Sequence, residues 1–376
     1  RVRRQRQMCI RDSFVPWGNN LARPYQAADP NAVFEDLMYD EPGLAIIVED
    51  LVRLQNLTPG GRLNSIRMHF QLHTIMADGN TVDRHAVAMV VRLIERVEDH
   101  GFRVMLAGLA YHYPADNPLW VAAQSEEEHW ATQALWWRHI ARALHHSPGV
   151  FAYELISEPA TGEAQVSNGL AGWSGVPHDE YCAFGRNPQI GKHGRCFVQR
   201  IVRELAGRDR DELARDWTQL MVDAIRRRGS LQNDPRHLIT IGMGGGPRVS
   251  THFKTPGVLA QLDIVSPHLY PEAEDDGQSK IELATHLSAL APGKPVIVGE
   301  TFPLRAGAET VERMISQICN KGTAQGWIGQ YDGRRSGDPP ARGQDDRAPE
   351  VFDAWYLLQR DLGIQMIDGG CPPWVP

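Results

Sequence analysis

Two apolar stretches, far apart along the sequence, each end in a glutamate. The first is VFAYELIS at residues 150–157, followed by Glu158, and the second is PVIVG at residues 295–299, followed by Glu300. Short runs rich in β-branched residues are typical of buried strands. Two carboxyl groups brought together at strand ends are suited to glycoside hydrolysis, in which one protonates the leaving oxygen and the other attacks the sugar.

A third carboxylate, Glu154, lies four residues before Glu158 on the same predicted strand. Side chains alternate between the two faces of a strand, so Glu154 and Glu158 are expected on one face, with Glu154 deeper in the interior. A buried carboxylate needs a partner. We therefore predict that Glu154 is structural and pairs with Arg67 or Arg103.

Eight short apolar segments alternate with segments of helical period along the chain. The first strand is predicted within residues 11–20, where it breaks at residues 17–20 into an exposed loop. The other strands are predicted at residues 62–72, 102–109, 150–157, 237–242, 262–268, 295–300 and 326–331. The helices are predicted at residues 36–56, 81–100, 126–145, 211–228, 280–291, 310–320 and 349–360. This alternation predicts a parallel sheet, and eight strands predict its closure into a (β/α)8 TIM barrel. Residues 160–195 are interpreted as an extended loop after strand four.

Polar side chains that could do chemistry follow the carboxyl ends of the predicted strands. They are Asn19, His69, His112, Glu158, His268, Glu300 and Tyr331. Active sites of such barrels are built at this end of the strands, so the distribution favours an enzyme.

The length and composition fit one elaborated barrel. The chain has 376 residues, and such a barrel takes about 250 residues plus insertions. We predict a single catalytic domain over residues 11–376, preceded by a flexible basic segment at residues 1–10. The hydrophobic content of 42% and charged content of 23% are ordinary for a water-soluble globular protein.

The charge and hydropathy of the chain exclude two classes of partner. A net charge of -7 argues against nucleic acid as a partner. No stretch approaches the roughly 20 apolar residues of a membrane helix. The basic start has no apolar segment behind it, so no intact signal peptide is visible. The first residue is Arg rather than Met, and both a secreted and a cytoplasmic protein are compatible with this. The oligomeric state has no signal in the sequence.

No metal or cofactor site is predicted. The five cysteines form no zinc spacing, and Cys182 and Cys196 share one loop and could bridge, although free buried thiols are the preferred interpretation. His69 and His73 do not form the His-x-His of a metal-dependent hydrolase barrel. The acidic residues Glu272, Glu274, Asp275 and Asp276 lack the spacing of a calcium loop and are interpreted as a solvated turn. The glycine-rich residues 242–246 lack a phosphate-loop pattern and are interpreted as a loop that lets substrate come close.

Several motifs, in order along residues 10–360, resemble those of the clan A glycoside hydrolases, specifically the cellulase-like family five or a near neighbour. Ser157-Glu158-Pro159 resembles the Asn-Glu-Pro motif after strand four. The other matches are the Gly-x-Asn of the first strand within residues 14–20, Ile66-Arg67 in strand two, His268-Leu269-Tyr270 after strand six, and Gly299-Glu300 at strand seven.

This resemblance implies a retaining glycosidase that cleaves β-linked oligo- or polysaccharides, with Glu158 as acid/base and Glu300 as nucleophile. Arg67 and Tyr270 would keep Glu300 ionised, because a nearby cation and hydrogen bonds lower a carboxyl pKa. The remaining implied contacts are His268 near the acid/base, Trp327 as an apolar face for a sugar or as core, and His112 and Asn19 as further substrate-binding residues.

Ser157 departs from the family pattern, in which an asparagine hydrogen-bonds the sugar 2-hydroxyl. Serine is shorter, so this contact would need a bridging water. The alternative hypothesis is therefore a catalytically impaired barrel that binds carbohydrate, and a less favoured third is a metal-dependent barrel hydrolase. The sequence leaves open the sugar, the linkage and endo versus exo action.

Overall fold

Eight parallel strands form the centre of the computed structural model. They are β1 (Trp17–Asn20), β2 (Ser65–Gln71), β3 (Arg103–Ala110), β4 (Val150–Ser157), β5 (Leu238–Met243), β6 (Ser266–Pro267), β7 (Ile297–Val298) and β8 (Gly326–Gln330). The structure describes residues 14–21, 34–60, 62–110, 118–162, 199–226, 237–245, 250–304, 306–331 and 349–365. The predictions for residues 1–10 and for most of the loop at 160–195 lie outside this part of the chain.

The strands close into a barrel. Their hydrogen-bonded order is β6-β5-β4-β3-β2-β1-β8-β7. The gap between β6 and β7 is closed by parallel bridges that join Val265 to Val296 and His268 to Glu300. The predicted TIM barrel is therefore confirmed.

A helix follows each strand. They are α1 (Glu41–Leu57), α2 (Arg84–Asp99), α3 (Glu126–Leu144), α4 (Arg210–Arg226), α5 (Pro256–Leu259), α6 (Gln278–Leu290), α7 (Ala308–Asn320) and α8 (Pro349–Gln365). Short additional pieces include the helices Phe34–Leu37 and Leu119–Ala123, and a strand pair formed by Pro159–Ala160 and Gln199–Arg200.

The starts of three helices are encoded by capping residues. Asp40 accepts a hydrogen bond from the Gly43 N–H at the start of α1, and Asp83 caps α2 in the same way. At α3, Ser125 and Glu128 form a reciprocal capping box. These side chains satisfy N–H groups that have no partner within the helix. The starts predicted at residues 36, 81 and 126 compare with observed starts at Glu41, Arg84 and Glu126.

Three strands and one helix differ from the predictions. Residues 17–20, predicted as an exposed loop, form the buried strand β1. The pattern predicted strands at residues 262–268 and 295–300, whereas β6 and β7 have two residues each, flanked by the single bridges that close the barrel. No helix was predicted between β5 and β6, but α5 occupies four residues there. One helical turn is too short to produce a hydrophobic period.

The core lies between the barrel and its helices. Trp136 and Trp137 of α3 are fully buried and pack edge to face, with ring centroids 4.8 Å apart. Both rings pack against Gly108 of β3, where an added Cβ would lie 2.5 Å from the Trp137 ring. The glycine therefore allows the helix to pack closely on the strand.

Cys319, in α7, is disulfide-bonded. The other four cysteines of the chain lie outside the described residues, and so does the predicted choice between a bridge and free thiols at Cys182 and Cys196. No disulfide was predicted for Cys319 from the sequence. The spacing of cysteines along a sequence does not report which of them meet in space.

Candidate active site

The glutamates singled out in the sequence lie at the same rim of the barrel. Glu158 directly follows β4, and Glu300 follows β7 by two residues. The bridge between His268 and Glu300 ties the ends of β6 and β7 together. The two carboxylates and the histidine therefore meet at the carboxyl ends of the strands.

Glu158 has an unusual backbone conformation. Its φ is 47°, in the left-handed region that few residues other than glycine adopt. Such a conformation costs on the order of 1 kcal/mol or more and is concentrated at functional sites. The Glu158 N–H donates to the Gly242 carbonyl oxygen at 2.7 Å. This hydrogen bond to the end of β5 stabilises the left-handed conformation of Glu158.

Gly242 also permits close packing inside the barrel mouth. A Cβ at this position would lie 2.4 Å from Glu154 Oε1 and 2.8 Å from His268 Nε2. These distances are shorter than atoms tolerate, so any other residue would displace one of the two side chains. Residues 242–246 were predicted to let substrate come close. The absence of a side chain at Gly242 leaves room for the side chains of Glu154 and His268.

Arg67 links the interior of the barrel to its rim. Its buried guanidinium binds both oxygens of Glu154, at 2.8 Å from Nε and 2.5 Å from Nη2. Nη1 donates to Glu300 Oε1 at 2.5 Å and to Asn20 Oδ1 at 2.7 Å, and Nη2 donates to Ser157 Oγ at 3.0 Å. The predicted structural pairing of Glu154 is confirmed, with Arg67 as its partner.

Arg103, the other partner considered for Glu154, lies at the opposite end of the barrel. It is the first residue of β3, donates from Nη1 to the Pro148 carbonyl oxygen, and lies over the Phe14 ring. Arg103 begins β3, whereas the rim is formed by the carboxyl ends of the strands, so Arg103 lies far from the rim.

Glu300 is held from two sides. Besides the bond to Arg67, its Oε2 accepts a hydrogen bond of 2.5 Å from the Tyr270 hydroxyl. Gln330 Nε2 in turn donates to the Tyr270 oxygen at 2.7 Å. His69 Nε2 lies 3.8 Å from Glu300 Oε1. The position of the carboxylate is thus fixed before any substrate binds.

The surroundings of Glu300 favour its ionised form. Burial raises the pKa of Glu300, but the positive charges of His268 and Arg67, followed by His69 and the Tyr270 hydrogen bond, outweigh this effect. Together they hold the pKa of Glu300 well below its usual range. A buried carboxylate kept ionised is suited to act as a nucleophile.

His268 joins the two glutamates. It is fully buried, and its Nδ1 lies 2.8 Å from Glu158 Oε1 and 3.5 Å from Glu300 Oε2. Burial lowers the pKa of His268, while the charge of Glu300 and the hydrogen bond to Glu158 raise it to a value above the usual one. A proton is therefore available on Nδ1 for the bond to Glu158.

The separation of the two glutamates matches one kind of chemistry. One carboxylate oxygen of Glu158, one of Glu300 and a ring nitrogen of His268 all lie within 4.8 Å of one another. Carboxyl groups about 5 Å apart suit a double displacement through a covalent intermediate, whereas inverting enzymes need roughly 6.5–9.5 Å to admit a water.

The same three side chains offer the donor atoms for a metal ion, and no other such group was found among the described residues. Arg67 already supplies a positive charge to Glu300 at 2.5 Å, which disfavours a second cation there. In the acidic turn before α6, Asp275 accepts from the Gly277 and Ser279 N–H groups. This bonding agrees with a turn rather than with a calcium loop.

A comparison with protein families assigns the chain. Residues 55–360 match the sequence model described as Cellulase (glycosyl hydrolase family 5). The chain belongs to glycosyl hydrolase family 5. The matched span includes every strand from β2 to β8 and both glutamates of the rim. The protein is therefore a glycoside hydrolase of the cellulase family.

Solved structures with the same fold include other family 5 enzymes. A GH5_18 variant from Streptomyces cattleya, in complex with Manβ1-4GlcNAc, matches with a TM-score of 0.62 and 16% identity, over 96% of this chain and 83% of that one. A GH5-4 broad-specificity endoglucanase from Clostridium longisporum matches with a TM-score of 0.55 and 12% identity, over 95% and 97%.

An exo-β-1,4-mannosidase from an Opitutaceae bacterium, strain TAV5, has a TM-score of 0.59 and 14% identity, over 95% of this chain and 62% of that one. No curated protein matches the sequence. Within the described part of the chain, no helix is both long and apolar enough to cross a membrane.

In this family 5 enzyme, the asparagine at the rim is Asn20 and not Asn19. Asn19 is fully buried, donates to Gln359 Oε1 at 2.8 Å and accepts from the Trp355 indole. It therefore faces α8, outside the barrel. Asn20 faces inward and accepts from Arg67 at 2.7 Å. Side chains alternate between the two faces of β1, so Asn19 and Asn20 point in opposite directions. The Gly-x-Asn motif that begins at Gly18 ends at Asn20, so the motif itself indicates Asn20 as the residue at the rim.

Two further predicted contacts have different outcomes. Trp327 is the second residue of β8, is 1% exposed and lies in the hydrophobic core. Its position supports core packing, one of the two roles considered for it, rather than a face for a sugar. His112 lies outside the described residues.

Two residues that lie around Glu300 in this enzyme, His69 and Gln330, were not predicted to surround it. His69 lies two residues after Arg67 on β2, and Gln330 is the last residue of β8. A signal was available for His69, because alternation along β2 places residues 67 and 69 on one face. His69 was placed among the strand-end side chains that could do chemistry and was considered as a metal ligand, but no contact with Glu300 was predicted for it.

We expect alanine at Asn20 and Asn19 to give opposite results. Asn20→Ala removes the hydrogen bond that fixes Arg67 and the bond that Asn20 donates to the Gly329 carbonyl oxygen. Its kcat/KM should therefore fall roughly 10-fold, at a stability cost of about 1 kcal/mol for each bond. Asn19→Ala should instead lower the unfolding midpoint in urea and leave kcat/KM near the wild-type value. Equal loss of activity in both variants would contradict this assignment.

Proposed function

We propose that the protein is a retaining glycoside hydrolase that cleaves β-linked oligo- or polysaccharides, with Glu158 as acid/base and Glu300 as nucleophile. The observation that supports this most strongly is the approach of their carboxylate oxygens to within 4.8 Å at the barrel mouth. A retaining double displacement requires a separation of this order.

The two roles follow from the different surroundings of the two glutamates. Glu300 accepts from Arg67 and Tyr270, each at 2.5 Å, and its lowered pKa keeps it ready to attack. Among the described residues, the hydrogen-bond partner of the Glu158 carboxylate is His268 Nδ1, at 2.8 Å from Oε1. The Glu158 side chain is 26% exposed, against 13% for that of Glu300. The more accessible carboxyl group is better placed to exchange protons with a leaving group and with water.

The reaction would proceed in two balanced steps. First, a Glu300 oxygen attacks the anomeric carbon while the bond to the leaving oxygen breaks, and Glu158 transfers its proton to that oxygen. Second, the Glu158 carboxylate removes a proton from water, whose oxygen attacks the same carbon and displaces Glu300. The enzyme returns to its starting protonation, and the two displacements retain the β configuration.

The substrate class rests on the family and on the relatives with the same fold. One relative was crystallised with Manβ1-4GlcNAc, and others are named as an exo-β-1,4-mannosidase and an endoglucanase. We therefore propose β-mannosides and β-glucosides as the first substrates to test.

Replacing Glu158 should have an effect that depends on the leaving group. With Glu158→Ala, kcat/KM should fall roughly 10²- to 10⁴-fold for an aryl β-glycoside with a poor leaving group such as phenol, which needs a proton. With 2,4-dinitrophenol, which leaves without protonation, the first step should be nearly unaffected. Pre-steady-state and steady-state rates on both substrates measure this difference. A uniform loss on both substrates would contradict the acid/base role.

The alternative function is a barrel that binds carbohydrate without cleaving it. It was motivated by Ser157, whose Oγ is engaged by Arg67 at 3.0 Å and whose side chain is shorter than asparagine. Wild-type protein that binds β-linked oligosaccharides in calorimetry, but leaves the whole panel of aryl glycosides uncleaved, would favour this alternative.

A further inference from the structure

A half-buried glutamine at the barrel mouth contacts Glu300 through Tyr270. Gln330 is the last residue of β8 and pairs in register with Asn20 of β1. Its Nε2 donates to the Tyr270 hydroxyl oxygen at 2.7 Å, and that hydroxyl donates to Glu300 Oε2 at 2.5 Å. These side chains form a series of two hydrogen bonds that ends on Glu300.

The direction of the two hydrogen bonds is fixed by Glu300. An ionised carboxylate only accepts hydrogen bonds, and Arg67 already donates to its other oxygen, Oε1, at 2.5 Å. Tyr270 has one O–H hydrogen. Because that hydrogen lies on the bond to Oε2, the Tyr270 oxygen accepts the bond from Gln330. The Gln330 amide must therefore present its NH2 group, and not its carbonyl oxygen, to Tyr270.

Tyr270 keeps its hydrogen in these surroundings. Burial raises the pKa of Tyr270 well above its usual value, and the charge of Glu300 raises it further, against a smaller lowering by the hydrogen bond from Gln330. Tyr270 is therefore a hydroxyl that can donate. A side chain at position 330 that accepts instead of donating would compete with Glu300 for this single hydrogen.

We propose that Gln330 is a positioning residue for the nucleophile, which directs the Tyr270 hydrogen to Glu300 Oε2 by donating to the Tyr270 oxygen. This inference rests on the proposed nucleophile role of Glu300. Successive hydrogen bonds in a buried network strengthen one another, so the bond from Gln330 helps Tyr270 to hold the carboxylate in the orientation for attack. The effect of Gln330 on the attack should then require the Tyr270 hydroxyl.

The test is the rate at which the enzyme attacks a 2,4-dinitrophenyl 2-deoxy-2-fluoro-β-glycoside of the sugar that it cleaves. Release of dinitrophenolate in a single turnover measures this rate, and it reports Glu300 rather than Glu158, because the leaving group needs no proton. Gln330→Met should lower the rate roughly 5- to 10-fold, the loss of one hydrogen bond. In a Tyr270→Phe background, the same change should lower it less than about twofold, because interacting residues are not additive.

Gln330→Glu separates the direction of the hydrogen bond from packing. Glutamate has nearly the same shape, but at pH 8 it is ionised, since its ordinary pKa is about 4.3, and it can only accept. It should compete for the Tyr270 hydrogen and lower the attack rate more than Gln330→Met does.

The matched control is Gln325→Met, which changes the half-buried glutamine just before β8, at the other end of the strand. Gln325 accepts from the Val296 N–H at 2.8 Å and donates to the Gly322 carbonyl oxygen at 3.0 Å. Its replacement should lower the unfolding midpoint in urea and leave the attack rate near the wild-type value.

Three outcomes would overturn the inference. They are a Gln330→Met effect of equal size with and without the Tyr270 hydroxyl, a Gln330→Glu variant that reacts faster than Gln330→Met, and an equal loss of rate in Gln325→Met. If Gln330→Met does not fold, Gln330→Leu removes the same donor. Failure of the proposed function is recognised separately, because the wild-type protein would then release no dinitrophenolate and carry no sugar on Glu300.

Discussion

Glu300→Gln is expected to lower kcat/KM on every cleaved β-glycoside by roughly 10⁴-fold or more, the scale seen when a covalent nucleophile is removed. Glutamine has nearly the same shape and its amide oxygen still accepts from Arg67 or Tyr270, so the fold should be retained. What is lost is the ionised oxygen that attacks the anomeric carbon. Steady-state kinetics on aryl glycosides, with a thermal melt of the same preparation, measures both effects.

The control for this prediction is Glu274→Gln, which makes the same chemical change at an exposed position on the turn before α6. It should leave kcat/KM unchanged. A second variant, Glu300→Gly, should be partly rescued by sodium azide and form an α-glycosyl azide, because the small anion enters from the side vacated by the carboxylate. A Glu300→Gln variant with a tenth or more of the wild-type kcat/KM would rule out the nucleophile role.

Arg67→Met is expected to cause the largest loss of stability. It leaves Glu154 buried without its partner and removes the cation beside Glu300. Breaking a buried ion pair by removing one member costs roughly 3–5 kcal/mol. Urea unfolding followed by tryptophan fluorescence should show the midpoint move accordingly, and activity should fall with it because Glu300 loses a ligand.

A double variant separates the two effects of Arg67. Arg67→Met combined with Glu154→Leu removes the buried charge of Glu154 as well, and an apolar pair can replace a buried ion pair at little cost. Most of the stability should return in the double variant, whereas activity should not. If the double variant is as unstable as the single one, the pairing of Arg67 with Glu154 does not account for the loss.

The sequence predicted the barrel because its long central elements carry strong patterns. Strands β2, β3 and β4 are seven or eight residues long, and α2 and α3 combine an apolar face with capping residues at their starts. The short elements carried less signal. The helix α5 has four residues, and β6 and β7 are closed by single bridges that depend on tertiary contacts.

At the site, the sequence predicted which residue types meet but not all of their partners. The pairing of Glu154 required a choice between Arg67 and Arg103, which only the strand direction settles. The prediction chose Asn19 in place of Asn20, an error of one position. Because successive side chains lie on opposite faces of a strand, this error placed the wrong asparagine at the rim.

The most direct test of the account is to trap the covalent intermediate. The protein is incubated with 2-deoxy-2-fluoro aryl β-glycosides of the configuration that it cleaves, and the labelled peptide is located by mass spectrometry after digestion. We predict one sugar per protein molecule, attached to Glu300, and no label in Glu300→Gln. A label on any other residue, including Glu158, would contradict the account.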